Sequence, residues 1–349
     1  MQLPSGIFNV SYRQDESVFH STWQRVWLGF LLVLLLVFPY TAPPFFVSLA
    51  VHVGIFIVGC HGINLLTGYT GQISLGHGAF MGVGAYASTI LMTRLGLPFW
   101  LTIPGAGVIT ALVGMVFGIP SLRLKGLYLA IATLAAQFII EFVIRRWDSL
   151  TGGVQGLSVP PISILGHGLT SDRQYYYLVL LFVILVTWAT KNLVRSRVGR
   201  AFVAIRDSDL AAEVIGVNLF KYKLAAFGIS SFYAGVAGAL WAHSLGVINY
   251  DQFGIGLSVE YLAFIIIGGM GNVLGAIFGP IFLITVTELL SHMTSALSTQ
   301  HPSLLTILVS MREILFGIII IGFLIFEPDG LAARWRSIRA YWKLYPFSY

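Results

Sequence analysis

Three polar side chains, Gln72, Ser74 and His77, interrupt two long apolar runs in a stretch dense in glycine, residues 68–86. An amide, a hydroxyl and an imidazole can each donate or accept hydrogen bonds. At membrane depth, irregular backbone is tolerated only where protein or a water-filled cavity satisfies its polar groups. The sequence therefore predicts a broken helix here, whose polar side chains find partners in the protein or line a path through it.

A second glycine-rich interruption, GGMGNVLGAIFGP at residues 268–280, lies in the other half of the chain. Interrupted apolar segments in both halves of a membrane protein are a sequence pointer to a transport site. Gly268, Gly269 and Gly271 are the expected positions of this helix break. The alternative is that the glycines of both segments only allow helices to pack closely.

One helix face carries a further polar series, in which Thr133, Gln137, Glu141 and Arg145 recur every four residues. Polar groups inside a membrane usually face the bundle interior or a cavity. Glu141 and Arg145 can pair near the helix end, whereas the first two lie deeper. The candidates for lining a translocation path are Gly71, Gln72, Ser74, His77, Thr133 and Gln137.

The composition identifies the class of protein that must position these groups. Of the 349 residues, 57% are hydrophobic and 10% are charged, and the mean hydropathy is +0.85. Soluble domains carry about 25% charged residues, so an ordinary soluble protein is excluded. The net charge of +6 comes from basic residues grouped in a few loops. Membrane topology explains that grouping better than nucleic-acid binding does, so no nucleic acid is expected as a partner.

Apolar runs of about 20 residues, the length needed to cross a bilayer, recur along the whole chain. One run, residues 258–290, would form a helix about 50 Å long, too long for a hydrocarbon core of about 30 Å. We expect it to cross twice, with a break at residues 268–272. The expected fold is an all-α polytopic membrane protein with about ten transmembrane helices, some of them broken.

Basic residues set the expected orientation, because cytoplasmic loops are enriched in Lys and Arg. They crowd residues 191–222 and the tail, residues 331–349, whereas two other loops have none. We therefore expect a polar cytoplasmic N-terminal segment at residues 1–22 and a transmembrane domain at residues 23–330. The loop at 191–222 and the basic tail are then cytoplasmic.

The basic loop contains RDSDLAAEVIG, which has the pattern of a short amphipathic helix joining two spans. Asp207 or Ser208 can cap its start, and Gly216 can end it. Leu210 and Val214 share one face, and charged residues cover the other. Such a helix is suited to dock on a cytoplasmic protein. The alternative, a helix lying on anionic lipid, fits less well because acidic residues are interspersed.

These segments resemble the permease subunit of branched-chain amino acid ABC importers. The resemblance covers roughly residues 45–331, and its motifs follow in the same order. The other matching segments are LRLKGLYLAIATL (122–134), TGGVQGL (151–157) and REILFGIIIIGFLIFEPDGL (312–331). One departure is TLAAQFIIEF (133–142), where the family usually shows a Phe-Gly-Glu-like run. The resemblance implies a type II importer-like permease, in a bacterial inner membrane, for branched-chain or related hydrophobic amino acids.

The resemblance also implies the partners. These are two cytoplasmic ATPases, a related second permease or a second copy of the chain, and a periplasmic binding protein. The helix at residues 204–216 is then the coupling helix, and it carries to the ATPase the residues Ala204, Arg206, Asp207, Glu213 and Gly216. The chain has no G-x4-G-K-[ST] motif, so ATP and Mg²⁺ are expected on the ATPases. No cofactor, metal site or enzymatic activity is expected in this chain.

Three alternatives stay open at this point. Urea and short-amide importers use very similar permeases. An ion-coupled secondary transporter would need a carboxylate within the membrane, and Glu141, Glu288 and Glu313 are the candidates. A membrane enzyme is disfavoured, because the sequence has no HExxH motif and no nucleophile elbow.

Overall fold

The computed structural model of the chain describes residues 22–121, 124–164, 167–168, 171–300 and 305–344. Helices make up most of these residues, and each described strand has only two residues. The expected all-α class is confirmed. The expected N-terminal segment, residues 1–22, lies outside the described residues except for Thr22.

The chain order is set by fourteen described helices. They are α1 (Thr22–Thr41), α2 (Pro44–Ile63), α3 (His77–Leu95), α4 (Phe99–Ser121), α5 (Leu127–Arg146), α6 (Asp148–Thr151), α7 (Asp172–Arg195), α8 (Arg197–Asp207), α9 (Asp209–Val214), α10 (Leu219–Leu245), α11 (Ile255–Gly268), α12 (Gly275–Gln300), α13 (Leu305–Phe326) and α14 (Leu331–Leu344). A π-helix at Asn64–Tyr69 continues α2, and 3-10 turns lie at Gly153–Gln155 and Tyr250–Phe253.

Two antiparallel strand pairs complete the described elements. β1 (Leu157–Ser158) pairs with β4 (Val247–Ile248), and β2 (Ser163–Ile164) pairs with β3 (His167–Gly168). The first pair joins the loop after α6 to the loop after α10. The second is a hairpin within the loop before α7.

Seven segments in the described ranges are long and apolar enough to cross a membrane, so the chain is a multi-pass membrane protein. They are residues 44–69, 99–120, 127–146, 172–195, 219–245, 250–268 and 275–292. The expected count of about ten is not confirmed. Two further apolar segments, in α1 and α13, are shorter. A third helix, α3, begins with a histidine and contains three glycines, which lowers its apolar content.

The long apolar run of the second half is interrupted, since α11 ends at Gly268 and α12 begins at Gly275. Gly269 and Gly271 have φ angles of +107° and +71°, a region that residues with a Cβ rarely adopt. The interruption is therefore written into the backbone by residue type.

Helix α10 lies at the centre of the bundle and packs against α2, α3 and α4. Gly84 of α3 faces the backbone of Gly235, and Gly238 faces the carbonyl of Met81, with no space for a Cβ at either glycine. Inside a bilayer, helix association depends on such close packing, because lipid is as apolar as the side chains. Small residues thus hold the α3–α10 pair at short distance.

The two ends of the bundle differ in charge. One end, which we call the basic end, carries residues 124–126, 197–223 and 327–336. Contacts join these segments to both glycine breaks: Arg206 reaches Gly68, and Gly330 packs on Gly269. The opposite end carries the β1–β4 pair.

Candidate functional site

Helix α3 begins inside the bundle rather than at one of its ends. Its first residue, His77, contacts the carbonyl of Gly59 in the second half of α2. Its third residue, Ala79, bonds to Gln137, the eleventh of the twenty residues of α5. The first N–H groups of a helix have no partner within that helix, and at membrane depth the partner must come from protein or ligand.

Side chains from two other helices satisfy this helix start. Each bond runs from a backbone N–H near the beginning of α3 to a side-chain oxygen: Leu75 N to Thr133 Oγ1 (2.9 Å), Gly78 N to Ser258 Oγ (2.8 Å) and Ala79 N to Gln137 Oε1 (2.8 Å). The polar face of α5 thus closes the broken end of α3. Thr133 and Gln137 do lie side by side here, as their spacing requires.

Gln137 also holds the start of α11. Its amide nitrogen donates to Phe253 O at 2.7 Å, and Ser258 Oγ donates to its Oε1 at 3.1 Å. The residue is fully buried. Both polar atoms of this side chain are therefore bonded within the protein. Any contact with cargo would require this network to open.

The polar residues of the first break are buried as well. Gln72 Nε2 donates to Thr70 Oγ1 at 2.9 Å, and Ser74 Oγ accepts from Gly76 N at 3.3 Å. Gly71, by contrast, is exposed and has a φ of +69°. This break is narrower than the glycine-rich stretch, because α2 and its π-helix continue to Tyr69.

His77 is held on two sides. Its Nε2 lies 3.0 Å from Gly59 O, and its ring meets the ring of Tyr261 edge-on at a centroid distance of 4.7 Å. An imidazole packed in this way orients the first turn of α3. The role of His77 and its neighbours in lining a path stays a prediction.

Asn64 joins the two glycine breaks. This fully buried side chain, in the π-helix before the first break, donates from Nδ2 to Asn272 O at 2.9 Å. Its Oδ1 accepts from Gly271 N, also at 2.9 Å. A single amide therefore satisfies one acceptor and one donor of the second break.

Arg206 reaches the same place from the last turn of α8. Its Nη1 donates to Gly68 O at 2.7 Å, and its guanidinium fills the space that a Cβ on Gly271 would occupy. The resemblance assigned Arg206 to an ATPase surface, but this guanidinium is directed into the bundle. We call this group the junction; it consists of Asn64, Gly68, Arg206, Gly271 and Asn272.

The helix expected at residues 204–216 is two helices, and this corrects the prediction. Ala204, half-buried, and Arg206 belong to the end of α8. Ser208 then leaves helical geometry, with φ −163° and ψ 113°, and its Oγ accepts from Ala211 N at 3.3 Å to begin α9. Gly216, with a φ of +89°, follows the end of α9. A serine favours the N-cap because its hydroxyl competes for backbone N–H groups.

Two lysines anchor the first residue of α9. Asp209 Oδ2 lies 2.9 Å from Lys125 Nζ, in the loop before α5, and 2.8 Å from Lys223 Nζ, in α10. Burial alone would raise the pKa of Asp209, but hydrogen bonds and charge from the two lysines outweigh it and lower this pKa below its ordinary value. α9 is therefore tied to two other elements by one ionised carboxylate.

The remainder of α9 projects from the basic end. Leu210, Val214 and Ile215 are 72%, 87% and 74% exposed. Asp207 and Glu213 are exposed too. Beside α9 lies an open cleft of about 650 Å³, whose lining includes Glu213 and Phe220. An apolar surface of this kind, rimmed by charged residues, is typical of a protein docking site.

Two residues that organise the site were missed by sequence reasoning. Asn64 is an amide at the end of an apolar run, and that contrast is a signal that could have identified it. Ser258 is a single hydroxyl at the start of another run, and no spacing distinguishes it. Both act on residues more than 150 positions away, a relation that no local pattern encodes.

The residues of the rival interpretations take ordinary positions. Glu141 and Glu288 are half-buried, and the side chain of Glu313 lies outside the described residues. Arg145 lies over the ring of Tyr250, with 5.8 Å from the guanidinium carbon to the ring centroid. Within the part of the chain that the structure describes, no three His, Cys, Asp or Glu side chains group as metal ligands.

Comparison with known families identifies a matching model. Residues 45–324 match the family described as branched-chain amino acid transport system, permease component. This range contains every candidate site residue named above. No solved structure matches the chain.

Individual relatives agree with the family model. The high-affinity branched-chain amino acid transport system permease protein LivM of Escherichia coli (strain K12) is 34% identical over 291 residues, which cover 76% of this chain and 68% of the relative. Its namesake in Salmonella typhimurium is 33% identical with the same coverage. The autoinducer 2 import system permease protein LsrC of Salmonella typhi is 25% identical over 68% of this chain and 66% of the relative.

Proposed function

Because the chain belongs to the family of branched-chain amino acid transport permeases, we propose that it forms the membrane pathway of an ATP-driven importer for these amino acids. Related hydrophobic amino acids fall within the same proposal. The relatives named LivM support this cargo. The more distant match to an autoinducer 2 import permease supports the wider class of import permeases.

One observation carries the energy source in this proposal. The apolar residues Leu210, Val214 and Ile215 project from the basic end, while Asp209 holds their helix in place through Lys125 and Lys223. A firmly held helix with an exposed apolar face is what a motor subunit needs in order to push on the membrane domain. We assign α9, together with Ala204, Asp207 and Gly216, to contact with a cytoplasmic ATPase.

The partners follow from this assignment. Two ATPase subunits bind ATP and Mg²⁺ and carry out hydrolysis, and this chain itself catalyses no reaction. A related second permease, or a second copy of this chain, completes the pathway in the lipid bilayer. A periplasmic binding protein delivers the amino acid. The chain needs no cofactor of its own and no nucleic acid in this scheme.

The orientation is part of the proposal. We place the chain in a bacterial inner membrane with both termini in the cytoplasm. Residues 1–22 form a cytoplasmic segment, residues 23–330 the transmembrane domain with its coupling loop at 191–222, and residues 331–349 a cytoplasmic tail. The Lys and Arg content of the loop and the tail supports this direction.

The pathway residues are bonded to one another in this conformation. Thr133 and Gln137 close the start of α3, and Gln72, Ser74 and His77 are buried behind Gly71. Closure of the ATPases would move α9 and tilt the bundle, so that these bonds exchange for contacts with cargo. A ligand shifts such an equilibrium only by its differential affinity for the two states. ATP acts here through the α9 contact.

The test is reconstitution of the chain with its ATPase, second permease and binding protein in liposomes. We expect leucine uptake that needs ATP and that isoleucine and valine inhibit. Val214→Asp should prevent ATPase binding, whereas Val203→Asp, on α8 and 38% exposed, serves as a matched control. Uptake that collapses with the proton gradient at constant ATP would refute the proposal in favour of a secondary transporter. Inhibition by urea or short amides alone would change the cargo.

A further inference from the structure

The junction connects parts of the chain that the sequence keeps far apart. Arg206 and Gly68 are 138 positions apart, and Asn64 and Gly271 are 207 apart. In each hydrogen bond a side chain meets the backbone of a glycine break. The two breaks and the end of α8 therefore share one contact point at the basic end.

Arg206 occupies a mechanically favourable position. It lies two residues before Ser208, where the chain bends into α9. The start of α9 is held by the lysine pair of Asp209. A displacement of α9 is therefore passed to the end of α8, and from there to whatever Arg206 holds.

Beyond Arg206 the contacts continue toward the pathway. Gly68 is followed within nine residues by His77, the start of α3. On the other side, Gly271 lies three residues after the end of α11, whose beginning is bonded to Gln137. Both helices that Gln137 joins at membrane depth thus have their breaks joined at the junction.

We propose that Arg206 is a positioning residue that links the α8–α9 segment to both glycine breaks, so that movement of α9 opens the Gln137 network. This inference rests on the proposed function. It departs from the family-based expectation for Arg206, since the guanidinium acts on the membrane domain itself and not on the ATPase. Gly271 is part of the device because any larger residue would displace the guanidinium.

The chemistry suits arginine. A guanidinium stays charged at every physiological pH and presents several N–H groups in a rigid plane, which lets it bond a carbonyl while packing between two backbones. A lysine could reach one carbonyl but would not fill the space beside Gly271. Arg206→Lys should therefore retain part of the function, and Arg206→Gln should lose it.

The experiment separates coupling from assembly. The complete transporter, in liposomes with its binding protein, is assayed for leucine uptake and ATP hydrolysis in parallel. For Arg206→Gln we expect about tenfold less leucine carried per ATP, the size expected for loss of one hydrogen bond to a charged group. ATPase binding and hydrolysis should persist, and Arg206→Lys should restore an intermediate ratio.

Matched variants keep the test specific. Arg200→Gln, on the same helix, removes an exposed arginine that bonds only to Arg195 O among the described contacts, and it should keep the wild-type ratio. Gly271→Ala should lower the ratio without touching Arg206, and the double variant with Arg206→Gln should be no worse than either single change.

Three results would overturn the inference. A wild-type ratio in both Arg206→Gln and Gly271→Ala would show that the junction transmits nothing. Loss of ATPase binding in Arg206→Gln would make it a docking residue, and additive losses in the double variant would make the two contacts independent. Failure of the proposed function is distinct, because the wild-type protein would then show no ATP-dependent uptake at all.

Discussion

At the scale of single residues, the site is governed by backbone groups that need partners. The broken start of α3 presents N–H groups inside the bundle, and Thr133, Gln137 and Ser258 accept from them. A buried backbone group without a partner costs about 1–3 kcal/mol. The polar side chains in these apolar runs therefore stabilise the break first, whatever else they do for cargo.

Replacing Gln137 with leucine should therefore lower stability as well as alter transport kinetics. The change leaves Ala79 N and Phe253 O without their side-chain partner, at about 1–3 kcal/mol for each group. Thermal unfolding of the purified protein in detergent measures the loss. Thr89→Val is the control, because buried Thr89 bonds only to a carbonyl of its own helix. An unfolding temperature equal to that of the control would show that the network contributes nothing.

Replacing Asp209 with asparagine should have a pH-dependent effect. The pKa of Asp209 is lower in the folded protein, so its ionised form favours the folded state. That contribution is complete above the unfolded value of about 4 and disappears as pH falls through the folded pKa. The stability gap between wild type and Asp209→Asn should thus be full at pH 7 and narrow below about pH 4.

Unfolding in detergent at several pH values measures this gap. Asp207→Asn, at an exposed carboxylate on the other side of Ser208, is the matched control and should show little gap at any pH. A gap for Asp209→Asn that stays constant down to pH 3 would mean that shape, and not charge, holds α9.

At the scale of elements, the coupling segment depends on where two short helices end. Ser208 separates α8 from α9, and Gly216 turns the chain toward α10. Gly216 has no atom within 4 Å of the place where a Cβ would be. Any effect of substitution there must come from the backbone angle, since there is nothing to clash with.

Replacing Gly216 with valine should uncouple transport from ATP hydrolysis. A β-branched residue at a φ of +89° costs about 1–2 kcal/mol or more, and the end of α9 would relax to another direction. Gly96→Val is a matched control, because Gly96 also has a positive φ and open surroundings but lies after α3, away from α9. Uptake per ATP should fall only for Gly216→Val. Equal losses in both variants would assign the effect to general strain.

The elements show how far sequence reasoning reaches. Glycine and serine punctuation is local, so the interruption after Gly268 and a cap at Ser208 could both be anticipated. The division of residues 204–216 could not, because the same serine that starts one helix had to be recognised as ending another. The partners of Asn64 and Arg206 depend on packing across more than 130 positions, which no periodicity records.

At the scale of the whole molecule, charge and packing separate the two ends of the bundle. Small residues bring α3 and α10 together, and both glycine breaks meet the α8–α9 segment at the basic end. The opposite end is joined by the β1–β4 pair. The fold therefore places its mobile-looking glycine segments where a motor subunit would act and its strand pair where a binding protein would deliver cargo.

This arrangement predicts that the two ends face opposite sides of the membrane, and single cysteines can test it. The chain has one cysteine, Cys60, which is fully buried, so wild type should not react with a membrane-impermeant thiol reagent. Val154→Cys, at an exposed site of the strand-bearing end, should react in intact spheroplasts. Leu210→Cys and Ser337→Cys should react only after permeabilisation, because basic segments stay in the cytoplasm. Labelling of Ser337→Cys in intact cells would place the tail outside, as a single crossing by α11 and α12 together requires, and the coupling loop and tail could not then serve the same ATPase.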